Sequence, residues 1–202
     1  MGRLIAVIGN CGSGKTALTR ALSGKYRLTP LLEQHVERPF QAEFQSDLLS
    51  YALANQFDYL LFRAGQELSL RASGDNGIVD GGLDQDFHVF TKLFLQKGFL
   101  DQREYDLCER LYLTLRQTLH PPDLFVRLTT PLETLRQRRF ARSRSLDIVT
   151  AEDLPAIDGL LADWMDGNAI PVIHFDTSAD DPGYSRTTAP LLAALDRFRM
   201  PK

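Results

Sequence analysis

Cysteine is scarce, with only Cys11 and Cys108 among 202 residues. Two isolated thiols make no disulfide framework, which excludes the cross-linked secreted scaffolds and fits a reducing cytoplasm. Long apolar runs are missing too. None approaches the roughly 18 residues of a membrane span, and the run Leu4–Ile8 is too short for a signal peptide. The sequence therefore reads as cytoplasmic, with no membrane partner. Nor does positive charge dominate: Lys and Arg total 23 against 26 Asp and Glu, a net charge of -3. Bulk nucleic-acid binding, which wants a basic surface, is not expected. The four histidines, His35, His88, His120 and His174, lack metal-ligand spacing and read as structural or surface groups. No repeat, low-complexity tract or linker divides the chain, and its length suits one domain with one sizeable core.

What is present is a regular succession of strands and helices. Short apolar runs at Leu4–Ile8, Pro30–Gln34, Gly77–Asp80, Leu124–Leu128 and Val172–Phe175 read as five strands. Between them, three-and-four spacing predicts helices over Lys15–Ser23, Asp47–Leu70, Phe87–Gln96, Arg103–Leu119, Pro131–Arg144 and Ala151–Met165, with a closing one over Ala189–Phe198. In the longest, Leu49, Leu53, Phe57, Leu60, Ala64 and Leu68 form the expected apolar stripe. A β-then-α order implies an α/β fold, a parallel sheet of about five strands with helices on both faces.

The first strand runs into Gly9-Asn10-Cys11-Gly12-Ser13-Gly14-Lys15-Thr16, which fits G-x-x-x-x-G-K-[ST]. Glycines let backbone N–H groups converge on an anionic phosphate without side-chain clash. The following helix adds its positive N-terminal end. Lys15 is expected on the β- and γ-phosphates of ATP and the Thr16 hydroxyl on Mg²⁺. Together strand, loop and helix predict a three-layer P-loop kinase fold.

Several further segments, in order, resemble the deoxynucleoside kinase family. They are Leu32-Glu33-Gln34, Glu37-Arg38-Pro39-Phe40, Tyr51–Gln56, Tyr59–Arg63, Asp80–Phe90 and the run Arg138-x-x-x-Arg142-Ser143-Arg144-x-x-Asp147. The resemblance extends from about residue 3 to 176 and implies ATP-dependent phosphorylation of a deoxynucleoside 5′-hydroxyl. It assigns Glu33 as general base, Gln56 as reader of the base edge, and Arg63 with Asp86 as a polar pair favouring purines or cytosine. Asp80 would help hold Mg²⁺ beside Thr16. Five arginines, Arg136, Arg138, Arg139, Arg142 and Arg144, lie where the family has a lid, about 136–150. Arg138 would pack on adenine, and Arg142 and Arg144 would approach the phosphates. Asp147 replaces a glutamate that contacts the sugar 3′-hydroxyl.

Two features depart from the family. Gly81 and Gly82 stand where it has arginine and serine after the strand-end acid, and Gln45 falls at its sugar-contacting tyrosine. These changes keep two alternatives open. One is another small P-loop kinase acting on a nucleoside monophosphate, with Arg38 or Arg63 as phosphate clamp. The other is a catalytically weak nucleotide-binding subunit. The expected assembly is a homodimer, or a heterodimer with a related subunit.

Overall fold

β1 (Leu4–Gly9) is buried at every residue and forms the spine of the molecule. The computed structural model describes residues 2–33, 38–142, 148–179 and, further on, 184, 189, 191, 193 and 195, with the backbone alone at 142. β1 pairs in parallel with β3 (Gly77–Asp80) on one edge and with β4 (Leu124–Thr129) on the other. β2 (Thr29–Leu31) and β5 (Val172–Asp176) flank these, giving the order β2-β3-β1-β4-β5. The five expected strands are all found.

A strand buried on both faces reads as an unbroken apolar run, and its alternate side chains serve different layers. Ile5 and Val7 pack with Leu18 and Leu22 of α1 (Lys15–Lys25) on one face. Leu4, Ala6 and Ile8 pack on the other with Leu70 of α3 (Leu48–Ser73) and Trp164 of α8 (Leu154–Asp166). Each fully buried Leu, Ile or Val contributes about 1.5–3 kcal/mol, so this strand anchors both layers. Leu191 and Leu195 of the expected closing helix are buried on the α1 face; most of that stretch lies outside the described residues.

Three expectations need correction. A short helix, α2 (Gln41–Ser46), precedes α3, where Asp47 accepts from Ser50 N as the α3 cap. The α3 stripe is only partly inside: Leu60 and Ala64 are buried, but Leu49 is 68% and Leu68 57% exposed. The helix after β3 starts earlier than Phe87. It begins at α4 (Leu83–Gln85), passes through a π-helical turn (Asp86–Thr91) and continues as α5 (Lys92–Gln96). α6 (Gln102–Thr118) and α7 (Leu132–Arg142) complete the set, with a 3₁₀ turn (Ala151–Asp153) before α8.

The strand order reverses at β1, between β3 and β4. In open parallel sheets the crevice for ligands lies beyond the carboxyl ends of strands at such a point. The loop after β1, Asp80 at the end of β3 and Glu33 just beyond β2 all stand there.

Candidate active site

The phosphate loop is tied down from several sides. Asn10 Nδ2 donates to the Leu154 carbonyl at 2.8 Å and to Asp158 Oδ1 at 2.9 Å, both on α8. Its Oδ1 accepts from Cys11 N at 2.7 Å. Asn10 is therefore an anchor of the loop. Gly14 has φ +95°, and a Cβ there would stand 2.1 Å from the Tyr184 hydroxyl, which donates to the Gly14 carbonyl at 3.0 Å. At that φ any side chain would be strained, which favours glycine. Lys15 Nζ folds back onto the carbonyls of Gly9 and Asn10, each at 3.0 Å.

At the start of α1 the Thr16 hydroxyl donates to Asp80 Oδ2. Asp80 is 1% exposed, and its Oδ1 has no hydrogen-bond partner among the described residues. A buried carboxylate oxygen left unpaired beside a hydroxyl is a donor set that fits a hard divalent cation. Mg²⁺ takes few protein ligands and shares the rest with water and phosphates.

Deeper in the same cleft, α3 faces the π turn. Arg63, 2% exposed, donates from Nε to Asp86 Oδ2 at 2.8 Å, and its Nη2 lies 3.7 Å from Glu33 Oε2. Burial opposes the guanidinium charge, but Asp86 and Glu33 outweigh it and hold Arg63 above its usual range. Burial pushes the Asp86 carboxyl up to about 6, with Arg63 pulling the other way. Tyr59 lines the same cleft, and its phenol is raised by burial and then by Glu33 and Asp86. Gln66 Nε2 donates to the Leu32 carbonyl at 2.8 Å and so fixes the backbone that presents Glu33.

Gln56 differs from expectation in its hydrogen bonding. Its Nε2 donates to the Asp86 carbonyl at 3.1 Å and to Thr91 Oγ1 at 2.8 Å. The donor half of the amide is engaged by the π turn, where the Asp86 carbonyl also accepts from Thr91 Oγ1 at 3.0 Å. The cleft is thus offered the amide oxygen rather than a bidentate edge.

Behind the cleft lies a buried ionic cluster. Arg116 of α6 bridges Asp84 and Glu67, with Nη2 to Asp84 Oδ2 and Nη1 to Glu67 Oε2 each at 2.7 Å. Tyr112 donates to Asp84 Oδ1 at 2.8 Å and meets His88 Nε2 at 3.1 Å. His88 stacks on Trp164, and burial depresses its pKa to about 4 despite Asp84 nearby. The acids after β3 are therefore buried and paired. They are not a solvated acidic turn.

Glu33, Gln56, Arg63, Asp80, Asp86, Lys15, Thr16, Cys11, Gly12 and Gly14 all line one cleft. Gln45 does not line it. Gln45 is exposed on α2, one turn beyond Gln41, which faces the cleft in its place. Arg138 lies off the cleft wall and donates to the Thr177 carbonyl at 2.8 Å. Arg139 lines the cleft and donates to the Val149 carbonyl. Arg38 is paired with Asp58 at 2.6 Å and packs over Phe62, away from the cleft. The Arg142 side chain, Arg144 and Asp147 lie outside the described residues.

Sequence reading missed Asn55, Phe90, Phe94, Ile148 and Val149, which complete the far wall. Asn55 is 2% exposed, and its Oδ1 has no partner among the described residues. Its only sequence signal is adjacency to Gln56.

The family model for deoxynucleoside kinase matches residues 5–188. Among curated proteins, the deoxyadenosine/deoxycytidine kinase of Bacillus subtilis (strain 168) is 24% identical over 174 residues, 84% of this chain and 80% of that protein. The deoxyadenosine kinase of Dictyostelium discoideum is 30% identical over 149 residues, 72% of this chain and 59% of that protein. Among solved structures, the deoxyadenosine kinase from M. mycoides with bound dCTP has a TM-score of 0.81 at 22% identity, covering 96% of this chain and 99% of that one. That agreement confirms the three-layer P-loop kinase architecture around the cleft. With almost the whole sequence matched, the chain belongs to the deoxynucleoside kinase family, transferases that phosphorylate deoxynucleosides.

Proposed function

We propose that the chain transfers the γ-phosphate of ATP to the 5′-hydroxyl of a purine deoxynucleoside or deoxycytidine. The observation that carries this reading is Arg63 standing between Asp86 and Glu33 in the cleft of Lys15. One wall of the pocket is ionic and polar, with a pair suited to a base that carries hydrogen-bonding groups, and faces the apolar wall of Phe90 and Phe94. The relatives named for deoxyadenosine and deoxycytidine point the same way.

Glu33 accepts the 5′-hydroxyl proton as that oxygen attacks the γ-phosphorus. The new O–P bond forms while the bond from phosphorus to the β-bridging oxygen breaks, leaving ADP. Lys15 leaves its backbone carbonyls to follow the phosphate charge. Thr16 and Asp80 would hold Mg²⁺, which when bound would supply positive charge to the triphosphate. Gly81 lacks the family's arginine, and a Cβ there would meet Arg63 Nη2 at 3.6 Å. Arg63 thus supplies from α3 the guanidinium that orients Glu33. Arg142 and Arg144 serve the phosphates, Arg138 the adenine and Asp147 the sugar, within a lid over residues 136–150 of a single kinase domain. Gln45 takes no part in this scheme.

The active form is a cytoplasmic homodimer. Leu61, Leu68 and Leu113 are 53%, 57% and 52% exposed on α3 and α6, which pack together and would meet a second copy. The test of function is an acceptor screen with labelled ATP and Mg²⁺, comparing deoxynucleosides with their monophosphates. Deoxyadenosine, deoxyguanosine or deoxycytidine should be labelled best. Labelling of monophosphates alone, or of nothing, refutes the reading.

A further inference from the structure

Gly9 closes β1, and β3 has already ended beside it. The last backbone bond between the two strands runs from Gly81 N to the Val7 carbonyl, 2.9 Å. Two residues on, Gly9 presents its N–H and C=O on the same edge, because strand residues alternate in direction. There the chain after β3 has turned away through Gly81 and Gly82, both at positive φ. Gln85 fills the missing place. Its Oε1 accepts from Gly9 N at 3.0 Å, and its Nε2 donates to the Gly9 carbonyl at 3.1 Å. Gln85 is 0% exposed, so its amide acts as one more rung of the ladder inside the protein.

The same Gly9 carbonyl also accepts from Lys15 Nζ. A lysine that serves a nucleotide phosphate must let go of that carbonyl. A buried carbonyl left without a partner would resist the release. With Gln85 in place, Gly9 remains paired after Lys15 departs.

We propose that Gln85 is a positioning residue for the phosphate loop: it keeps the Gly9 backbone paired in both states and so frees Lys15 for a nucleoside triphosphate. Gln85 precedes Asp86, so one turn of chain also ties the loop to the base-pocket wall. The inference rests on the nucleotide-binding reading of the loop and is independent of the acceptor.

The test compares wild type with Gln85→Leu and Gln85→Glu. Binding of a non-hydrolysable ATP analogue is measured without acceptor, and KM for ATP and for the acceptor with it. In Gln85→Leu, Gly9 loses its partner and Lys15 is held back, so analogue affinity and KM for ATP should each worsen about tenfold. The acceptor KM should stay close to wild type. In Gln85→Glu, the ionised carboxylate cannot donate to Gly9 and attracts Lys15, whereas the protonated acid both accepts and donates as the amide does. Its analogue affinity should therefore recover towards wild type as pH falls, with no such recovery in wild type. If Gln85→Leu does not fold, this pH response still decides the matter. Unchanged analogue affinity in Gln85→Leu, an equal loss for both substrates, or no acid rescue in Gln85→Glu would overturn the proposal. Failure to phosphorylate any deoxynucleoside would instead strike the acceptor assignment, leaving the analogue measurements to judge Gln85.

Discussion

Arg63 and Asp86 form an ion pair inside the cleft, Nε to Oδ2 at 2.8 Å, with the two side chains 2% and 8% exposed. Removing one partner of a buried pair leaves an uncompensated charge and costs about 3–5 kcal/mol, whereas replacing both with apolar groups is often neutral. Arg63→Ala alone should therefore lower the unfolding midpoint more than Arg63→Ala with Asp86→Ala. The double change should also raise activity on thymidine relative to deoxyadenosine, since thymine's methyl no longer faces charge. Thermal unfolding and competition between the two nucleosides check both halves.

Asp86 gives stability and catalysis opposite pH dependences. Burial raises its carboxyl from the ordinary 3.8 to about 6. Between those values the folded protein binds a proton that the unfolded chain does not. Its own contribution to stability therefore grows as pH falls from 6 towards 4 and is least above 6. Function runs the other way, because protonation discharges the partner of Arg63. Acceptor kcat/KM should fall below about pH 6. Asp86→Asn should lose that limb in a pH–rate profile, and a wild-type profile flat across this range would contradict the assignment.

Restoring the family's arginine should not improve the enzyme. Gly81 has φ +78°, and its Cβ direction points at Arg63. A side chain at such a backbone position costs on the order of 1 kcal/mol or more. The added guanidinium would also crowd the one beside Glu33. Gly81→Arg is predicted to lower both the melting temperature and kcat; a gain in kcat would show that Arg63 does not serve Glu33.

Much of the cleft was legible because its groups follow strands at fixed spacing. The glycine loop after β1, Asp80 ending β3 and Glu33 just past β2 all sit where a parallel sheet delivers its chain ends. Local spacing could not show what distant residues do to each other. The Arg63–Asp86 pair was expected only from the family resemblance, and nothing in the local spacing showed that Arg116, 32 residues from Asp84, draws that carboxylate into a buried cluster. α2 was invisible because its six residues bury only Phe44, too few to set a period. The engagement of Gln56 by the π turn depends on helix geometry that no residue pattern announces.

Lys15→Ala should nearly abolish turnover while leaving the fold intact. Among the described residues Lys15 hydrogen-bonds the carbonyls of its own loop, so the folded protein loses little. The transferring phosphate would lose a charge that matters most in the transition state. Single-turnover kinetics beside circular dichroism measure the two effects separately, and near-normal turnover would remove the loop from catalysis.

In the proposed mechanism Glu33 takes the acceptor's proton. Glu33→Gln keeps the size and hydrogen-bonding reach of the side chain but cannot serve as the base. It also removes the charge 3.7 Å from Arg63 Nη2 without disturbing the Arg63–Asp86 contact. The direct measurement is kcat for the best deoxynucleoside set beside its dissociation constant, in wild type and Glu33→Gln. In the variant kcat should fall about 100-fold or more while the dissociation constant changes little. A variant that keeps wild-type kcat, or loses binding and turnover in equal measure, would contradict it.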